Sequence, residues 1–78
     1  MNVLGHEIPE SAIASVIEGL KRRGFFAVST VEMLFKLAGV PEGEVAMRAA
    51  DRLIQKLKRN GEIEFAGRDR QAPWRFKL

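Results

Sequence analysis

At Gly61 the sequence changes period, and that change limits how the chain can fold. Before it, Ala46, Ala49, Ala50, Leu53 and Leu57 share one helical face with Ile54 at its border, while Glu44, Arg48, Asp51, Arg52, Gln55, Lys58 and Arg59 cover the other. After it the period is two: Ile63 and Phe65 point one way against Glu62 and Glu64, and Trp74, Phe76 and Leu78 oppose Arg75 and Lys77. The pattern predicts a long helix from about Glu42 to Asn60, followed by a one-sided antiparallel hairpin of Glu62–Phe65 and Trp74–Leu78. The glutamates can pair across the strands with Arg75 and Lys77, each pair contributing about 0.2–1 kcal/mol.

Upstream, Pro9 suits a first helical position, and Ile13, Val16, Ile17 and Leu20 repeat at helical spacing. Lys21, Arg22 and Arg23 oppose the negative end of that helix, and Gly24 can close it. Phe25 to Val28 is too short for a helix and suits a buried strand that pairs with the terminal hairpin. Ser29 and Glu32 have capping-box spacing, with Val28 and Met33 as the accompanying hydrophobic staple, so a second helix is expected from about Thr30 to Ala38. Gly39 ends it, Val40 and Pro41 make a tight connection, and the third helix follows at once. Residues 1–8 read as an N-terminal tail and 9–78 as one domain.

With 78 residues the chain buries only about 60–65% of the surface its unfolded form exposes, so the core has to be compact. Cysteine is absent, which removes disulfides and thiolate metal sites and suits a reducing cytoplasm. No apolar run reaches a membrane span and Met1–Glu7 lacks the regions of a signal peptide, so the expectation is a cytoplasmic protein without membrane contact. Catalysis needs converging groups. The chain has one histidine, His6 in the expected tail, no tyrosine and no metal-ligand cluster, and Ser11, Ser15 and Ser29 have no base in view. Gly39, Gly43, Gly61 and Gly67 form no phosphate-loop pattern. No enzyme, catalytic residue, cofactor or metal is expected.

The net charge of +3 is unevenly placed. Through Val40, Lys21, Arg22, Arg23 and Lys36 balance Glu7, Glu10, Glu18 and Glu32. From Pro41 onward, Arg48, Arg52, Lys56, Lys58, Arg59, Arg68, Arg70, Arg75 and Lys77 outnumber Glu42, Glu44, Asp51, Glu62, Glu64 and Asp69. Such an imbalance is an electrostatic footprint for phosphates. The segment Ala66 to Pro73 holds Arg68 and Arg70, has no large apolar residue, and is expected to project into solvent.

Three helices, a short strand after the first, an abrupt turn before the third and a terminal hairpin make the chain similar to the winged helix-turn-helix family. The residues that carry the resemblance are Ser29–Glu32 opening helix two, Leu37 to Pro41 at the turn, Val45 early in helix three, and Gly61 to Ile63 leading into the wing. It implies a mainly α (α+β) fold: a three-helix core with a C-terminal β-hairpin wing, helix three in the major groove of double-stranded DNA, and the wing on an adjacent groove or phosphates. Carried over to this sequence, it implies Arg48, Arg52 and Gln55 facing bases and Arg68 and Arg70 in the wing; by their chemistry Lys56, Lys58 and Arg59 suit phosphates, with Thr30 as a further phosphate contact. Arginine can bond guanine and glutamine adenine in bidentate fashion. A helix N-terminus such as that at Thr30 accommodates anions. Trp74, in phase with Phe76 and Leu78, reads as a core plug beneath the wing.

Two departures stand beside the resemblance: Phe35 occupies a position where the family keeps a small side chain, and helix three opens on acidic Glu42 and Glu44, with Asp51 beyond as a partner for Arg48 or Gln55. The function expected is that of a small DNA-binding protein, a transcriptional regulator or accessory factor in DNA transactions. The alternative is a protein-interaction adaptor, signalled by an exposed apolar patch around Met47, Phe25, Phe26 or Met33. A homodimer through residues 1–8 or helix one stays open, since it would present two recognition helices to two half-sites.

Overall fold

The computed structural model describes residues 1–67 and 72–77. Its elements are β1 (Asn2–Val3), β2 (His6–Glu7), α1 (Glu10–Arg23), β3 (Phe25–Phe26), α2 (Val28–Leu37), α3 (Glu44–Arg59), β4 (Ile63–Phe65) and β5 (Trp74–Phe76). Among the described residues the chain is thus an α+β fold of three helices and two small antiparallel sheets.

The first difference from the sequence reading is at the N-terminus. Residues 1–8 are not a tail: β1 and β2 form a hairpin with Asn2 opposite Glu7 and Val3 opposite His6. Leu4 and Gly5 at its turn both have positive φ, +51° and +82°, the requirement of the tight turn that follows strand twist. Hydrophobic burial holds the hairpin down, because Val3 and Ile8 are 0% and 2% exposed and join the same apolar cluster as the helices. The Met1 ammonium donates to Ile8 O at 3.0 Å and to Glu7 Oε1 at 3.3 Å, closing the loop. His6 is exposed on β2.

Helix α1 follows Pro9, whose extended ψ of 151° makes it the residue before the helix. Ala12, Ile13, Val16 and Leu20 are buried, and the Gly24 N–H returns to Leu20 O at 3.1 Å. The second difference is the start of α2, at Val28 instead of Thr30, so Ser29 lies exposed in the first turn and the Ser29–Glu32 capping box is not made. Ala27 is extended beside the buried Phe26, and its N–H donates to Thr30 Oγ1 at 3.3 Å. This is half of a capping box, since Ala27 has no side-chain acceptor to complete it. Val28 is therefore inside the helix and cannot act as a staple to Met33.

Helices α2 and α3 end in the same way. Gly39 N–H donates to Lys36 O (3.1 Å) and Val40 N–H to Phe35 O (3.0 Å); Gly61 N–H donates to Lys58 O (3.0 Å) and Glu62 N–H to Leu57 O (2.9 Å). Both are Schellman closures, with glycines at φ +97° and +71°. Val40 is buried, as is Phe35, which gives the first closure its usual apolar seal. Helix α3 begins at Glu44, later than expected, because Gly43 adopts φ +95° and ψ −135°, outside any helical region. Pro41 and Glu42 belong to the connection, where Glu42 pairs with Lys36 at 3.6 Å.

The three-stranded sheet has the order β3-β5-β4, so the short phenylalanine strand pairs with the terminal hairpin as expected. Phe25 stands opposite Arg75, Phe26 and Phe65 opposite Trp74, Ile63 opposite Phe76 and Glu64 opposite Arg75. Glu64 and Arg75 form the expected cross-strand ion pair at 3.2 Å. Glu62 instead accepts from Asn60 Nδ2 at 3.3 Å. On the inner face Phe26 meets Phe76 with ring centroids 5.7 Å apart. The alanine face of α3 is wholly buried together with Leu53, Ile54 and Leu57, and Phe35 lies in the same core at 0% exposure.

Candidate nucleic-acid interface

With Ala46, Ala49, Ala50, Leu53 and Leu57 turned inward, helical geometry turns Arg48, Gln55 and Arg59 directly outward, and all three are exposed. Five basic side chains lie on α3 against two acidic ones. Arg48 is held by Glu44, one turn earlier, whose Oε1 accepts from both Nε and Nη2 at 3.3 Å. A solvent-exposed pair of this kind contributes only about 0.3–0.5 kcal/mol, so the guanidinium is steadied but readily exchanged to another acceptor. The acidic start of α3 is thus partly matched within the helix.

Arg52 carries a contact that the sequence does not announce. Its Nη1 donates to the backbone carbonyl of Asn2, which ties the N-terminal hairpin to α3. A base-facing Arg52 is what the winged-helix resemblance implies, and nothing in the local sequence reveals a carbonyl 50 residues away. Next to it, Arg52, Gln55, Lys56, Arg59 and Asp51 line a groove whose other wall is Met1, Glu10 and Ile13. Gln55 and Arg59 therefore sit between an open helix face and this groove, while Lys56 looks toward α1.

Lys58 is on the opposite flank. Its Nζ lies 5.1 Å from the centroid of the Trp74 ring, within cation–π range. Trp74 also meets Phe65 edge-on, centroids 5.6 Å apart and planes at 70°. Trp74 is only half-buried and Phe65 is 66% exposed, although Ile63 on the same strand face is buried. Strand alternation gives the correct face for Phe65, but on β4 that face is buried only at Ile63. Thr30 is half-buried at the start of α2; a hydroxyl accepting from Ala27 N–H retains its own proton to donate. Arg68 and Arg70 lie outside the described residues.

The four residues expected to mark an apolar patch differ in burial. Phe26 is core, whereas Phe25, Met33 and Met47 are exposed on β3, α2 and α3 in turn. Leu37, at 77%, is the most exposed large apolar residue of those described and borders a groove between α1 and α2 lined by Ser15, Gly19, Arg22 and Leu34.

No family model, no curated protein and no solved structure matches the chain. Among the described residues no cluster of His, Cys, Asp or Glu could hold a metal ion, and no helix is long and apolar enough to cross a membrane.

Proposed function

We propose that this is a winged-helix protein that binds double-stranded DNA, with α3 in the major groove and the 66–73 segment as the wing. The observation that carries the reading is the two-faced α3. One face is closed by alanines and leucines against the core, and the other presents Arg48, Gln55 and Arg59 with Lys56 and Lys58 on its flanks. The antiparallel sheet β3-β5-β4 beside it agrees with a helix-and-wing layout. In this reading Arg48 and Gln55 reach base edges, Arg59, Lys56 and Lys58 bind phosphates, the Thr30 hydroxyl donates to a further phosphate, and Arg68 and Arg70 serve the wing. Arg52 positions the N-terminal hairpin. Such a protein acts as a transcriptional regulator or accessory factor, according to the site it occupies.

The test is binding to a mixed-sequence duplex by fluorescence anisotropy between about 50 and 200 mM salt, comparing the native chain with Arg48→Ala, Arg59→Ala and with Arg22→Ala, Arg23→Ala. The second variant loses the same charge from α1. The expected result is binding that weakens with salt, a loss in the α3 variant, and a salt slope flatter by about 1 for each phosphate contact removed. Equal effects of the two variants would reduce the interaction to non-specific charge. A folded native chain that binds no duplex at low salt overturns the reading and favours the adaptor, for which exposed Leu37 beside the α1–α2 groove is the feature to mutate.

A further inference from the structure

We infer that Phe65, Trp74 and Lys58 form a stacking site for an unpaired base, so that the preferred ligand is duplex DNA carrying a single-stranded overhang. This rests on α3 holding the duplex and extends that reading to the substrate class. Phe65 is 66% exposed in a chain that has its other inward-facing hairpin residue on β4, Ile63, fully packed. Its ring meets the half-buried Trp74 at 70°, so the pair offers an aromatic corner, a face beside an edge, instead of a closed stack. The Lys58 ammonium stands 5.1 Å from the indole centroid. An aromatic surface with an adjacent cation is the combination that single strands require: base stacks on ring, and backbone phosphate meets the charge.

The location matters as much as the chemistry. Lys58 lies on α3 ten residues after Arg48, about 15 Å along the helix axis, and immediately before Arg59. A duplex contacted by Arg48 and Gln55 therefore comes to the aromatic corner at the C-terminal end of the same helix. Bases inside a duplex are already stacked on both sides, and a terminal pair has one open face whose orientation its pairing fixes. A base beyond the last pair, or one released from it, is free to turn into the corner.

The chain contains one tryptophan, so emission from Trp74 reports on this site directly. The experiment compares a blunt duplex, the same duplex with a short overhang, and a free oligonucleotide, reading anisotropy and Trp74 emission for the native chain, Phe65→Ala and Phe65→Tyr. Folding of each variant is checked by circular dichroism. The expected result is affinity about tenfold higher for the overhang duplex, with quenching of Trp74 that the blunt duplex does not produce. Phe65→Ala should lose the preference and keep the blunt-duplex affinity, and Phe65→Tyr should retain both. Equal affinity for the two duplexes with unchanged emission overturns the stacking site while leaving duplex binding intact. If neither duplex binds, the α3 reading fails; quenching by the oligonucleotide would still support the corner as a base site, and its absence would overturn that too.

Discussion

Arg52 illustrates how far exposure on a helix is from availability to a ligand. It stands among the outward cations of α3, yet its guanidinium is engaged by the Asn2 carbonyl. Arg52→Ala should therefore act first on structure. The expected loss is about 1 kcal/mol, the net worth of a partly solvated hydrogen bond, with faster amide exchange confined to the 2–7 hairpin. Urea denaturation and hydrogen exchange measure the two parts. A variant that loses duplex affinity as severely as Arg48→Ala, Arg59→Ala while keeping native exchange in the hairpin would return Arg52 to the binding face.

Among the elements, the two Schellman closures decide where α2 and α3 stop, and so the angle at which the chain leaves toward α3 and toward β4. Gly39 and Gly61 have open space around the position of a Cβ, so nothing but backbone conformation requires glycine there. Replacing either by alanine places an L-residue at φ +97° or +71°, at a cost of about 1–2 kcal/mol. For Gly61→Ala a fall in Tm of roughly 4–8 °C per kcal/mol is expected in a domain this size, seen by thermal melting. An unchanged Tm would mean that the helix end relaxes without penalty. Gly19 differs in kind, since a Cβ there would lie 3.3 Å from Leu34, where α1 and α2 approach closely.

For the molecule as a whole, the N-terminal hairpin is part of the core and not an appendage to it. Burial of Val3 and Ile8 contributes about 1.5–3 kcal/mol each, against a total of about 4–12 kcal/mol for a chain of 78 residues. Removal of residues 1–8 loses both contributions and should thus lower the stability by a few kcal/mol, less the entropy that ordering those residues costs. A shortened chain beginning at Pro9 is expected to unfold at a markedly lower urea midpoint, and an unchanged midpoint would show that the remaining core closes over the vacated surface.

The elements legible in the sequence are those whose signals are local. The buried face of α3 can be assigned residue by residue because six apolar positions repeat at one period. Gly24, Gly39 and Gly61 mark helix ends because only glycine tolerates the backbone there without strain, and Ile63 and Trp74 to Phe76 alternate long enough to declare strands. Strands of two residues carry no period, which is why the hairpin of β1 and β2 read as a tail and why its contact with Arg52 had no sequence signal. The start of α2 went to Thr30 acting on Ala27 instead of to Ser29, because the buried Phe26 settles where the chain turns into the helix. Within the candidate site, helical periodicity alone puts Arg48, Gln55 and Arg59 on one outward face, a consequence of 3.6 residues per turn. The tie of Arg52 to the hairpin, the place of Lys58 over Trp74 and the exposure of Phe65 emerge on folding, since each depends on the distance between segments far apart in the chain.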